Sequence, residues 1–260
     1  MRTEHASTWS LLGVPVSRAS LAEITAHCLA PRPVASDAPV TVACANLHSL
    51  VVAQRDADFA CALRAATVVT ADGAPLLAAG RYCGAAVGPR VTGSDLFAAI
   101  MGALQERGGR AMFVGSTPAV LQRIQRRAAV EYPAITIETL SPPFGTLTAE
   151  QNDRILAAIG AFAPDVLWIG MSAPKQEKWV AHNAHRLRVP AVLSVGAVFD
   201  FYAGTVARAP PWMRRAGLEW LHRLASEPRR LWRRYLISGP VFVSLVVRER
   251  RARGRAGSAA

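Results

Sequence analysis

Apolar and polar positions along the 260 residues change period many times, and each change marks an element. PVTVACAN, from Pro39, is a short apolar run rich in β-branched residues and predicts a strand. SLVVAQRDADFACALRAA, residues 49–66, then carries its apolar residues at helical spacing. The alternation continues. Strands are expected over TVVTAD, RAMFVGS, AITIETL, DVLWIGM and AVLSVGAVFDF, the last covering residues 191–201. Helices are expected over GSDLFAAIMGALQERGG, TPAVLQRIQRRAAVEYP (capped by Ser116 or Thr117), TAEQNDRILAAIGAFAP and SAPKQEKWVAHNAHRL. Strands that alternate with helices of about 10–15 residues make βαβ units. The expected fold is therefore α/β, a mostly parallel Rossmann-like sheet with helices on both faces.

After residue 206 the pattern differs. Helical periods are broken at Gly217, Pro228 and Gly239–Pro240, and Trp212, Trp220, Trp232 and Tyr235 interleave with arginines. The expected division is an α/β domain of residues 1–206 and a basic helical C-terminal appendage of residues 207–260. Charge supports that division. The chain has a formal net charge of +12, of which residues 207–260, with 13 Arg, no Lys and 3 Glu, contribute +10. Trp and Tyr beside Arg on short amphipathic helices suit an anionic membrane surface. A nucleic-acid surface and a merely solvated basic face are the competing readings. No nucleic-acid partner is expected, because the aromatics stand among aliphatic tail residues and not on a sheet face where bases would stack. The apolar run at 235–247 contains Gly239 and Pro240 and is shorter than the roughly 20 residues of a spanning helix. No N-terminal stretch reads as a signal peptide. The expected location is cytoplasmic, peripherally bound to the inner face of the plasma membrane, with the last fifteen residues frayed.

Cys28, Cys44, Cys61 and Cys83 lack CxxC spacing and are expected as reduced core residues. His182 and His185 stand three apart without a third ligand type nearby, so no metal is expected. GxGxxG, Walker A and GxSxG sequences are missing, which leaves NAD, P-loop and serine-hydrolase chemistry without support and no cofactor expected.

Candidate chemistry gathers where strands end. Asn46 and His48 follow the first strand and Asp72–Gly73 the second; Gly115, Ser116 and Thr117 follow another, and Gly170, Ser172, Pro174, Lys175, Gln176 and Glu177 another. In a parallel sheet all of these face the carboxyl edge, where open α/β sheets bind ligands. Asp-Gly is also ordinary turn chemistry, and both readings of Asp72 stand at this point. Gly-Ser-Thr-Pro and Gly-x-Ser-x-Pro before helices leave backbone N–H groups that suit phosphate. Together the loops point to a diphosphate ligand such as a nucleotide sugar.

The ordered motifs N-x-H, A-D-G, R-V-T-G-S-D-L (residues 90–96), F-V-G-S, D-V-L-W-I-G-M-S-A-P-K-Q-E, V-G-A-V-F-D, R-A-P-P-W-M and E-W-L-H-R-L-x-x-E-P-R-R-L-x-R-R-Y make the chain, from about residue 11 to 247, resemble the WecG/TagA/CpsF glycosyltransferases, family 26. The G-x-S-x-P-K-Q-E block and the E-W-L-x-R-L-x-x-E-P-x-R tail are the specific parts. The resemblance implies a metal-independent, inverting transferase. It would move a sugar (N-acetylmannosamine, its uronic acid or a hexose) from a UDP-sugar to a polyprenyl-diphosphate-linked saccharide in cell-surface polysaccharide biosynthesis. It implies Asp72 as catalytic base, Asn46 and Gln176 in the donor pocket and Arg90 facing the diphosphate. Gly73, Gly115, Ser116, Gly170, Lys175 and Asp200 complete the candidate substrate set. Arg208, Arg214, Arg215, Arg223, Arg229 and Arg233 are its candidates for the acceptor diphosphate and membrane. Family members often carry Thr where Cys44 stands, and a thiol is a poor hydrogen-bond partner. A non-catalytic nucleotide-sugar-binding protein of the membrane surface is the alternative. The oligomeric state, a homo-oligomer included, stays open.

Overall fold

The structure, a computed structural model, describes residues 7–31, 38–207, 209–210, 212–213, 219–232 and 236–257. Among them, β3 (Val40–Ala45), β4 (Val68–Ala71), β5 (Gly109–Gly115), β6 (Ile135–Leu140), β7 (Val166–Gly170) and β8 (Ala191–Ser194) form one sheet in the order β4-β3-β8-β7-β5-β6. Every pairing in it is parallel. Successive side chains of a strand leave on opposite faces, and the core divides accordingly. Val166 and Trp168 of β7 join Val42, Phe113 and Phe199 on one side, whereas Leu167 and Ile169 join Ile155, Val180 and Val192 on the other. Burial on both faces explains why β3, β4, β7 and β8 read as continuous apolar runs, whereas the edge strand β6, ITIETL, is partly exposed and mixes polar with apolar residues. The expected α/β class is the one found.

The remaining elements of the body are helical connections. They are α2 (Leu47–Ala53), α3 (Ala57–Ala65), α4 (Ala74–Tyr82), α5 (Gly93–Arg107), α6 (Pro118–Glu131), α7 (Ala149–Phe162), α8 (Lys175–Asn183) and α9 (Val198–Tyr202). The N-terminal segment supplies an antiparallel hairpin, β1 (Thr8–Leu11) and β2 (Val14–Ser17), and α1 (Leu21–Leu29). Leu12 and Gly13 turn the hairpin, both at positive φ, as a two-residue turn between twisted strands requires. Ser20 and Glu23 close a capping box on α1.

Within residues 1–206 three expectations need correction. The helix expected over 49–66 is two helices, because the Asp56 side chain accepts from Phe59 N–H at 3.0 Å and starts α3 afresh. The strand expected over 191–201 ends at Ser194; Gly196, at φ +56°, turns the chain into α9. Cys61 is exposed, while Cys28 and Cys83 are buried and Cys44 is partly buried.

In the tail, α10 (Glu219–Ser226) and α11 (Pro228–Trp232) precede a 20-residue α12 (Ser238–Gly257). The chain end expected to fray is helical through Gly257, and it is anchored. Phe242 and Val246 are buried among Leu50, Val51 and Leu76. Glu249 Oε2 accepts from Leu12 N–H at 2.8 Å, and Arg253 donates to Ser10 O at 2.7 Å and pairs with Glu249. Pro240 falls in the first turn of α12, where a missing N–H costs nothing. No described helix is long and apolar enough to cross a membrane.

Burial of Phe242 makes α12 part of the core that holds α2 and α4. Phe242→Ala is expected to lower unfolding free energy by about 3 kcal/mol, through lost transfer energy and the cavity left behind. Urea denaturation measures it; an unchanged midpoint would mean that α12 does not pack as described.

Candidate active site

Each strand end is held by a local device that leaves particular groups facing the sheet's carboxyl edge. After β3, Asn46 caps α2: its Oδ1 accepts from His48 N–H and Ser49 N–H, both at 3.1 Å. That oxygen is committed to the cap, so the amide Nδ2 is what Asn46 can offer a ligand. After β4, Asp72 N–H donates to Ala45 O at 2.8 Å, continuing the parallel register by one residue and fixing the Asp72 backbone at the strand end. Gly73 follows at φ +138°, a conformation that L side chains rarely adopt, and α4 begins without a side-chain cap.

The middle of the sheet is built tightly. A Cβ on Gly115, at φ +128°, would come within 2.5 Å of Gly170 O, and one on Gly170 within 2.6 Å of the Phe199 ring. Ser116 N–H donates to Gly170 O at 3.1 Å, tying the β5 and β7 loops together. Ser172 adopts positive φ at the start of the bend into α8, and Gln176 N–H returns to Ser172 O at 3.2 Å.

Two cavities result. The smaller, of about 430 Å³, is lined by Asn46, Asp72, Gly73, Arg90 and Gln176, and its wall includes Trp220 of α10 and Gly239 of α12. The larger, of about 1110 Å³, takes in Gly115, Ser116, Gly170, Lys175 and Asp200, with the β6–α7 loop along its rim. Ser172, Gly196 and Ala197 belong to both, so the cavities adjoin. The sequence candidates thus fall into two groups of five side by side. Of the tail arginines, Arg208, Arg214, Arg215 and Arg233 lie outside the described residues, and Arg223 falls within α10. Arg229, on α11, is exposed and lines neither cavity. Sequence reasoning named Glu177 among the strand-end residues but gave it no role, and it did not place Trp220 or Phe201 in a ligand site. Trp220 comes from the tail, and Glu177 is an acid within the quoted K-Q-E block that turns out to be buried.

Electrostatics divide the smaller cavity. Among the described residues that line it, Arg90 is the guanidinium and Asp72 and Glu177 are the carboxylates. The Cys44 thiol is pushed far above the usual thiol range, first by burial and then by the Asp72 carboxylate, with Glu177 and Asp95 adding to the effect. A neutral thiol therefore stands where a charged one would face acids. Ser238 Oγ on α12 lies 2.8 Å from His48 Nδ1, which links the tail to the cavity wall. Among the described residues no three His, Cys, Asp or Glu side chains are grouped so as to hold a metal ion.

Comparison with known proteins places the chain's sequence in a family. The model of the "Glycosyl transferase WecG/TagA/CpsF family" matches residues 9–256. The chain is 28% identical over 206 residues, 78% of its length and 77% of the relative's, to the N-acetylglucosaminyldiphosphoundecaprenol N-acetyl-beta-D-mannosaminyltransferase of Bacillus subtilis (strain 168). It is 28% identical over 190 residues, 73% of its length and 72% of the relative's, to the protein of the same name from Bacillus spizizenii (strain ATCC 23059 / NRRL B-14472 / W23).

The thiol environment is open to a direct check. At pH 8 iodoacetamide is expected to label exposed Cys61 readily and Cys44 at least about tenfold more slowly, since only the thiolate reacts. Asp72→Asn should speed labelling of Cys44 by removing a nearby negative charge. Peptide mapping by mass spectrometry follows both; equal rates at Cys44 and Cys61 would contradict the electrostatic description.

Proposed function

Because the chain belongs to the WecG/TagA/CpsF family of glycosyl transferases, we propose that it transfers N-acetylmannosamine from a UDP-sugar to N-acetylglucosaminyl-diphospho-polyprenol, with inversion and without a metal. The observation that carries this reading is the carboxylate of Asp72, at a strand end inside a cavity that also holds Arg90, Asn46 and Gln176. The larger cleft has room for the nucleotide, beside the loop of Gly115 and Ser116 and the cation of Lys175. The smaller cavity takes the sugar and the acceptor hydroxyl.

The chemistry follows from that placement. The acceptor O–H attacks the anomeric carbon on the face opposite the leaving group. Asp72 takes the hydroxyl proton as the new C–O bond forms, and the bond from anomeric carbon to phosphate oxygen breaks. UDP leaves with added negative charge. Arg90 and the positive ends of the α4 and α8 dipoles, neither helix having a side-chain cap, offset that charge. Gly73 lets the acceptor come close to the strand end, since no Cβ intervenes.

The same reading assigns the tail to the membrane, where a polyprenyl acceptor lies, and residues 1–206 to the donor. Trp212, Trp220, Trp232, Leu236 and Ile237 are exposed, with Arg229 exposed among them. Aromatic and aliphatic side chains beside arginine give a foothold at headgroup depth. Trp220 also lines the smaller cavity, so docking and the site share a wall.

Two expected outcomes test these proposals. Asp72→Asn should cut transfer, assayed in EDTA by mass spectrometry of the lipid product, by about 10²–10⁴-fold while leaving UDP binding by calorimetry unchanged. Transfer near the wild-type rate would remove Asp72 as base; an inactive wild-type chain that still binds the donor would favour the non-catalytic binding protein. Charge reversal, Arg229→Glu with Arg230→Glu, should weaken sedimentation with phosphatidylglycerol vesicles by at least about tenfold, at roughly 1 kcal/mol per basic residue near the surface. Added salt should weaken wild-type binding in the same way. Undiminished sedimentation of the variant would leave the tail as a solvated basic face.

A further inference from the structure

Gln176 and Glu177 stand in the first turn of α8 and are both buried, at 3% and 5% exposure. Both line the smaller cavity with Asp72. Adjacent buried polar residues need partners, and one hydrogen bond between them settles which atoms remain. Gln176 Nε2 donates to Glu177 Oε1 at 2.8 Å. A carboxylate can only accept, so this neighbour decides which end of the amide turns toward it. The start of a helix favours negative charge on Glu177, which holds the pair in that sense. The other end of the amide, Gln176 Oε1, is buried without a hydrogen-bond partner among the described residues. The amide lies over Gly196, where an added Cβ would stand 3.7 Å from Nε2 and 3.9 Å from Oε1. An orphaned buried acceptor is costly unless a ligand satisfies it.

We propose that Gln176 Oε1 is a fixed hydrogen-bond acceptor that reads an N–H or O–H of the donor's sugar, and that Glu177 is the positioning residue that holds the amide in that orientation. This rests on the transferase reading above. The sugar, not the nucleotide, is the group read, because Gln176 lines the cavity of Asp72 and not the larger cleft. A glutamine left free to flip would present either a donor or an acceptor. The Glu177 bond removes that choice and makes the position selective for a ligand that donates.

A double-mutant cycle on the full chain tests both halves, with affinities for UDP-N-acetylmannosamine, a UDP-hexose and UDP measured by calorimetry and folding by thermal melts. Gln176→Met removes the acceptor with little change of volume and should weaken binding of the acetamido donor by about tenfold. Glu177→Met should weaken it comparably when Gln176 is present and have little further effect beside Gln176→Met. Glu177→Gln keeps an acceptor oxygen and should restore most of the affinity. A loss confined to the acetamido donor assigns the N–H, and an equal loss with the hexose donor assigns a hydroxyl. An equal loss with UDP alone would overturn assignment to the sugar. Glu177→Met costing the same with and without Gln176 would overturn the positioning role. Wild-type protein that binds no UDP-sugar would overturn the transferase reading itself and this inference with it. Should Glu177→Met not fold, Gln176→Met and Glu177→Gln still decide: no loss in the first, or full loss in the second, would contradict the proposal.

Discussion

The parallel pairing of β3 with β8 is the contact on which the rest of the molecule depends. It matches Val40 with Ala191 and Ala43 with Ser194, joining segments about 150 residues apart. Because the sheet is parallel throughout, each strand delivers its following loop to the same edge. Pairing β3 with β4 on one side and β8 on the other places Asn46, Asp72 and the Gly196 turn beside one another. Pairing β7 with β8 brings α8, with Gln176 and Glu177, to the same cavity. Ligand sites of open α/β sheets lie at such edges for this topological reason. No single loop of this chain would make a site alone.

A second constraint closes the structure from its other end. α12 returns to the N-terminal hairpin and to α2 and α4, fixed by Phe242 and Val246 in the core and by Glu249 and Arg253 on hairpin backbone. This return places Gly239 against the cavity and sets Ser238 beside His48. The division of charge along the chain then acquires a spatial meaning. A nearly neutral sheet domain carries the pocket, and a segment with a net charge of +10 supplies both a wall of that pocket and the surface that is proposed to meet anionic lipid. A lipid-linked acceptor and the membrane would thereby be approached together.

Much of this architecture was legible in the sequence because most sheet strands are apolar runs of ordinary strand length followed by a polar cluster. The misreadings have local causes. AVLSVGAVFDF is apolar throughout, and its switch from strand to helix depends on one glycine at positive φ. Residues 49–66 carry unbroken helical spacing, and only the capping geometry of Asp56 divides them. The hairpin strands, TWSL and VPVS, are four residues each and lack the continuous apolar run that marks β4 and β8 at the same length. Residues at strand ends could be named as candidates since their position follows from the strand. Their partition into two adjoining cavities could not, because it depends on how α8, α9 and the tail pack. Glu177 shows the limit most clearly: the K-Q-E block names it beside the ligand loops, and only the surrounding fold buries it and pairs it with Gln176.

The paired cavities at the sheet edge are proposed to form a single donor-and-acceptor site for glycosyl transfer. The most direct test is mass spectrometry of a short-chain N-acetylglucosaminyl-diphospho-polyprenol incubated with the full chain and a panel of UDP-sugars. The account predicts a lipid heavier by one N-acetylhexosamine residue with UDP-N-acetylmannosamine. A lipid of unchanged mass with every donor in the panel would contradict it.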